Sequence, residues 1–192
     1  MAELDEVGAT LLAAASQLLA TEGPGALTVR RIAAEAGMST MNVYSRFGNK
    51  HGVVECLFVD GFELLAAAMD SVPKTDDPMA DLRACGDAYR RFAFENPTLY
   101  SVMFERPVAD FQPSPEAGAV AMGTLQLLAE RLERAMDAGV MRRQDSTFAA
   151  AVVWSTCHGA VSLELKQTGP ESVDWALVHR DATDTLFTGM RS

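Results

Sequence analysis

Between Glu3 and Met190 the apolar residues recur at three- and four-residue spacing, and the breaks fall at Gly or Pro. That pattern admits amphipathic helices and leaves no alternating run for a half-buried strand. Composition points the same way. The 192 residues include 30 alanines and 19 leucines but a single isoleucine, Ile32, a bias toward helix and away from sheet. The expected fold is all-α.

The punctuation divides the chain. A first helix runs from about Glu3 to Thr21 and stops at Glu22-Gly23-Pro24-Gly25. A short helix follows from Thr28, as N-cap, to Ala36, and Gly37 ends it. Ser39 opens another short helix that ends near Phe47, and a longer one spans Lys50 to about Met69. Val72 to Pro78, with two prolines and two aspartates, reads as a linker. Beyond it, helices are expected at about 78–95, 97–106, 114–138, 146–167 and 171–189. The division is therefore 1–50, a connecting helix at about 50–70, and 71–192.

Several function classes drop out. No stretch is expected to cross a bilayer, because none supplies about 18 to 20 apolar residues. Met1 to Glu6 carries three acids and no base, unlike a targeting peptide. Cys56, Cys85 and Cys157 are widely spaced and read as reduced thiols, so the expected location is the cytoplasm. No histidine or cysteine spacing suits a metal, and no cofactor motif appears. Ser155, Cys157 and His158 are close in sequence, but neighbours on a helix do not converge. No nucleophile-elbow, phosphate-loop or dinucleotide pattern is present, so no catalytic residue is expected.

The informative stretch is Thr28 to Lys50, TVRRIAAEAGMSTMNVYSRFGNK. Two short helices joined around Gly37 have helix-turn-helix spacing, and the second would lie in a DNA major groove. The formal charge of the chain is −10, but Arg30, Arg31, Arg46 and Lys50 face Glu35 alone here, a local excess of +3. An acidic remainder repels DNA and orients the basic patch toward it. With Val43 and Phe47 inward, Thr40, Met41, Tyr44 and Ser45 turn outward, with Asn42 at the edge. Thr40 and Asn42 suit base edges, and Met41 suits a thymine methyl. Arg30 suits a guanine or a phosphate. Thr28, Tyr44, Ser45, Arg46 and Lys50 suit phosphates, and Arg31 belongs to the same DNA-binding set.

These residues resemble the DNA-binding domain of the TetR family of bacterial transcriptional regulators. The resemblance rests on Gly23, Thr28, Ile32-Ala33, Ala36-Gly37, Met38-Ser39, Val43-Tyr44, Phe47 and Lys50, all in register. Arg46 stands where the family usually has histidine, and Gly48 where it often has proline. Met1 to Asp5 lacks the bases that many members place before the first helix. The second half is similar to a C-terminal class named for Trp, His and Gly. Ala88-Tyr89-Arg90-Arg91-Phe92-Ala93, Asn96-Pro97, Leu99-Tyr100, Met103-Phe104, Trp154 and His158-Gly159 carry that similarity. It implies a C-terminal domain that binds a small effector and forms a homodimer.

Six of the 14 aromatics fall between Tyr89 and Phe111. Tyr89, Phe92, Met103, Phe104, Phe111, Met122, Trp154 and His158 read as the lining of a pocket for a largely apolar effector, or as ordinary core. The loop 106–115 reads as a lid or a surface turn. His158 is a polar pocket contact or a satisfied core histidine. Ala151, Ser155, Gly159 and Ser162 form a small-residue face, and the last helix offers Trp175, Val178, Ala182 and Leu186. These two faces are expected to form a four-helix subunit interface, with packing inside one subunit as the alternative. The resulting expectation is a homodimeric repressor, released by a small molecule from an inverted-repeat operator in double-stranded DNA.

Overall fold

A computed structural model describes residues 5–191. Of the acidic arm Met1 to Asp5, only Asp5 lies within the described residues. Among these residues all regular structure is helical apart from one isolated β-bridge, Met141 with Arg191. The helices are α1 (Glu6–Glu22), α2 (Val29–Glu35), α3 (Thr40–Phe47), α4 (Lys50–Asp70), α5 (Pro78–Glu95), α6 (Pro97–Phe104), α7 (Pro115–Asp137), α8 (Ser146–Leu165) and α9 (Trp175–Gly189). A 3-10 turn, Pro24–Ala26, links α1 to α2 and was not expected from the Gly-Pro-Gly break. The last helix starts at Trp175 rather than near 171, because Asp174 caps it by accepting from the Leu177 N–H.

The chain forms two compact units. The first holds residues up to Phe62 together with 96–120, and the second holds 63–95 with 121–191. The units change over inside α4, between α5 and α6, and inside α7. The reason lies in the aromatics of α6 and the following loop. Phe104 packs edge-on to Phe62 at 5.5 Å, and Phe111 edge-on to Phe58 at 6.0 Å, so this stretch belongs with α4. Leu11, Ala15, Ile32, Val43 and Val53 are sealed in the first unit and hold α1, α2 and α3 together. Burying such side chains is worth about 1.5–3 kcal/mol each for the larger ones.

In the second unit α8 packs along α9, and α5 packs on both. Leu82, Leu132, Met141, Val161 and Phe187 are its buried centre. The presumed linker is tied down. Asp81 accepts from the Thr75 backbone N–H at 2.8 Å and the Thr75 hydroxyl at 2.7 Å, and Arg134 donates to it at 2.6 Å. Burial pushes the Asp81 carboxyl up, but these hydrogen bonds outweigh it and hold it below its ordinary value. Arg131, itself buried, donates to the carbonyls of Met69 and Val72 at 2.8 and 2.6 Å and so satisfies the end of α4.

One helix, α8, reaches the length and mean hydropathy of a bilayer span. Ser146–Leu165 is long and apolar enough by composition, with a mean hydropathy of 1.2 and a charge-free run from Ser146 to Leu163. Hydroxyls and His158 interrupt it. Ala149, Ala150, Val153, Cys157, Ala160 and Val161 are buried, as in a helix packed within a protein core.

Candidate nucleic-acid interface

The α2–α3 junction is set by one glycine. Gly37 has φ 67°, a left-handed conformation that costs other residues free energy. Around it the Met38 N–H donates to the Ala33 carbonyl at 2.8 Å and the Gly37 N–H to Ala34 at 3.1 Å, closing the end of α2. At its start, the Thr28 hydroxyl accepts from the Arg31 N–H at 3.2 Å. Ser39 precedes α3 as expected, but its hydroxyl makes no capping bond and accepts instead from the Asn42 amide at 3.4 Å.

α3 is held from within and left open outside. Val43 and Phe47 are buried. Thr40, Met41, Tyr44 and Ser45 are exposed, Met41 at 70% and Tyr44 at 53%. Asn42 and Arg46 are half-buried on the same helix. Beyond α3, the Asn49 side chain accepts from the His51 and Gly52 N–H groups at 2.7 and 3.2 Å and so caps α4. That cap was not anticipated, although Asn before a helix is a common signal. Gly52 is required by closeness: a Cβ there would lie 1.9 Å from the Phe47 carbonyl oxygen.

The cations differ from the sequence expectation. Arg31 is paired with Glu22. Arg46 is paired with Asp5, 41 positions away, through two bonds of 2.8 and 2.5 Å. The Asp5 carboxyl, bonded to Arg46 and to the Gly8 N–H, is held down at about 2. Counting Asp5 and Glu22 with the patch lowers its formal excess from +3 to +1. Arg30 is exposed and Lys50 half-buried. The five hydroxyl, thioether and amide side chains of α3 and these cations still share one region of the first unit.

The residues read as an effector lining are shared between the two units. Met103, Phe104 and Phe111 belong to the first, and Tyr89, Phe92, Met122, Trp154 and His158 to the second. Met103 and Phe111 are buried, and half-buried Phe104 packs against Tyr100 at 4.9 Å as well as on Phe62. Met122 is 58% exposed on α7. In the second unit Tyr89 and Phe92 are buried, and the Tyr89 hydroxyl shares a hydrogen bond with His158 Nδ1 at 3.0 Å. Trp154 leans on the His158 ring at 5.8 Å. Arg90 grips Glu164 from α5 to α8 beside them.

The small-residue face of α8 is left uncovered within the chain. Ser155 and Gly159 are exposed, and Ala151 and Ser162 are half-buried. Phe148, at 64%, and Leu163, at 47%, extend it. On α9, Trp175, Val178, Ala182 and Leu186 are half-buried, with Trp175 laid against Gly169. An open furrow runs along α9 past Leu177, Val178, Asp181 and Ala182.

Comparison with known proteins covers both halves. The family model for bacterial regulatory proteins of the tetR family matches residues 11–57. The model for the tetracyclin repressor-like C-terminal domain matches residues 82–186. An HTH-type transcriptional regulator of Mycobacterium tuberculosis is 23% identical over 84% of this chain and 81% of its own length. A Rhodococcus sp. RHA1 protein of unknown function superposes with a TM-score of 0.85 at 23% identity, covering 100% of this chain and 98% of that one. AibR, solved with isovaleryl coenzyme A and operator DNA, superposes with a TM-score of 0.71 at 20% identity, covering 95% and 98%.

Proposed function

The chain belongs to the TetR family of bacterial regulatory proteins, and from that premise we propose that it is a homodimeric repressor released from an inverted-repeat operator by a small-molecule effector. It is a DNA-binding transcriptional regulator and not an enzyme. The observation that carries the finer reading is the two-sidedness of α3: Val43 and Phe47 are sealed, while Thr40, Met41, Tyr44 and Ser45 face outward.

On this reading α3 enters the major groove. Thr40 and Asn42 meet base edges, Met41 a thymine methyl, and Arg30 a guanine or a phosphate. Thr28, Arg31, Tyr44, Ser45, Arg46 and Lys50 lie toward the backbone and position the protein. The exposed apolar and small side chains of α8 and α9 support a two-fold interface, because a second copy would cover them. A protein that acts on chromosomal operators works in the cytoplasm. AibR was solved with an acyl thioester and operator DNA, which supports a partly apolar effector here. Such an effector releases the operator only by binding a DNA-incompetent conformer more tightly.

The test is a selection from random duplex DNA by the full-length protein, read by sequencing. The expected result is an inverted repeat with half-sites about one helical turn apart. Enrichment of single half-sites would remove the dimeric reading, and no enrichment at low salt would remove operator recognition.

A further inference from the structure

The last turn of α3 carries a guanidinium that is already engaged. Arg46 Nε donates to Asp5 Oδ1 at 2.8 Å, and its Nη2 donates to Oδ2 at 2.5 Å. Nη1 turns back to the Asn42 side-chain oxygen at 3.2 Å. Asp5 is itself fixed. Its Oδ1 also accepts the Gly8 N–H at 2.8 Å, the capping bond of α1. The first turn of α1 therefore delivers a carboxylate to the end of the helix that carries the outward side chains.

A guanidinium presents one fork of donors, and carboxylate and phosphate oxygens compete for it. We infer that Asp5 sets the DNA affinity of this protein by occupying the Arg46 fork, so that a DNA phosphate gains that contact only by displacing the carboxylate. The inference rests on the DNA-binding reading of α3. A cation that keeps its own anion neutralises no phosphate and releases no counterion. Arg46 then contributes less to the salt dependence of binding while Asp5 is present than it does once the carboxylate is removed. Asp5 is a positioning residue, acting through Arg46 rather than on DNA.

Asp5→Asn removes the charge but keeps an equally good N-cap, so α1 retains its start. Asp5→Ser does the same and guards against an idiosyncratic variant. The experiment titrates a fluorescent mixed-sequence duplex of about 30 base pairs with wild type, Asp5→Asn, Asp5→Ser, Arg46→Gln and the Asp5→Asn/Arg46→Gln double variant, across a salt series.

Asp5→Asn and Asp5→Ser are expected to bind roughly three- to tenfold tighter at low salt, with the log–log slope steeper by about one. Asp5→Asn is expected to gain nothing once Arg46 is gone, so the double variant should bind as Arg46→Gln does. An equal gain with and without Arg46 would make Asp5 a bulk charge and overturn the inference. So would an unchanged slope in Asp5→Asn. A wild type that binds no duplex at any salt would instead bring down the DNA-binding reading itself.

Discussion

The α2–α3 pair and the α8–α9 pair are both helical hairpins, but they turn opposite chemistry outward. In the first, Ile32, Val43 and Phe47 are hidden, and the outer surface carries hydroxyls, amide and guanidinium groups, several of them already paired with acids. In the second, the buried stripe of α9 is His179, Thr183 and Phe187, and the outside shows Leu177 at 47% on α9 and Phe148 and Leu163 on α8. A polar outer face is stable in water and exchanges its partners for phosphates. An apolar outer face lowers its free energy when another protein covers it. The proposed function places nucleic acid at the first hairpin and a second subunit at the other, in keeping with this difference.

Four measurements break or sharpen this contrast. The largest effect is expected at Phe187, which is fully buried. Phe187→Ala should cost about 3–5 kcal/mol in urea denaturation. Leu177→Asp, on the uncovered side of the same helix, should leave the monomer folded and weaken self-association by about 2–4 kcal/mol in sedimentation equilibrium. An unaltered association constant would take Leu177 out of the interface. Gly52→Ala should cost about 1–3 kcal/mol by forcing α4 away from the Phe47 carbonyl, again read in urea. Lys50→Ala should flatten the salt dependence of duplex binding by about one unit with no change in preferred sequence.

The smallest expected effect is a pH dependence at His179. Burial pushes its pKa below the ordinary 6.5; Asp87 and Glu164 push it up, and Arg90 and Arg180 push it down. Its Nε2 is buried with no partner. A histidine with a lowered pKa in the fold is neutral in both states above 6.5. As pH falls through 6.5 the unfolded chain takes up the proton first, and stability is lost. Wild type should therefore lose about 2–4 °C or less in Tm relative to His179→Gln between neutral and mildly acidic pH, measured by differential scanning calorimetry.

Most of the helical plan was legible because its signals are local. The Gly37 turn, the Thr28 cap and the period of Ile32, Val43 and Phe47 are separated by a few residues each. Asn49 as the cap of α4 was equally local and passed unnoticed beside Gly48. The division of the chain was less legible. The 72–78 stretch looked like a linker from its prolines and aspartates, but Asp81 and Arg134 fasten it, and α6 joins the first unit through Phe104 and Phe111.

The sequence by itself determined that the chain is helical, that a helix-turn-helix occupies 28–50, and that it resembles the family to which it belongs. Periodicity, caps and glycines act within a turn or two of the chain, so they are written in the order of residues. Only the tertiary structure decided which charges are available. Arg46 and Asp5 are 41 positions apart, and whether they meet depends on how α1 packs against α3. The same holds for the eight aromatic and thioether residues read as one lining. Their types suit a pocket or a core, and which of them face one another is fixed by packing between distant segments, as Tyr89 and His158 show.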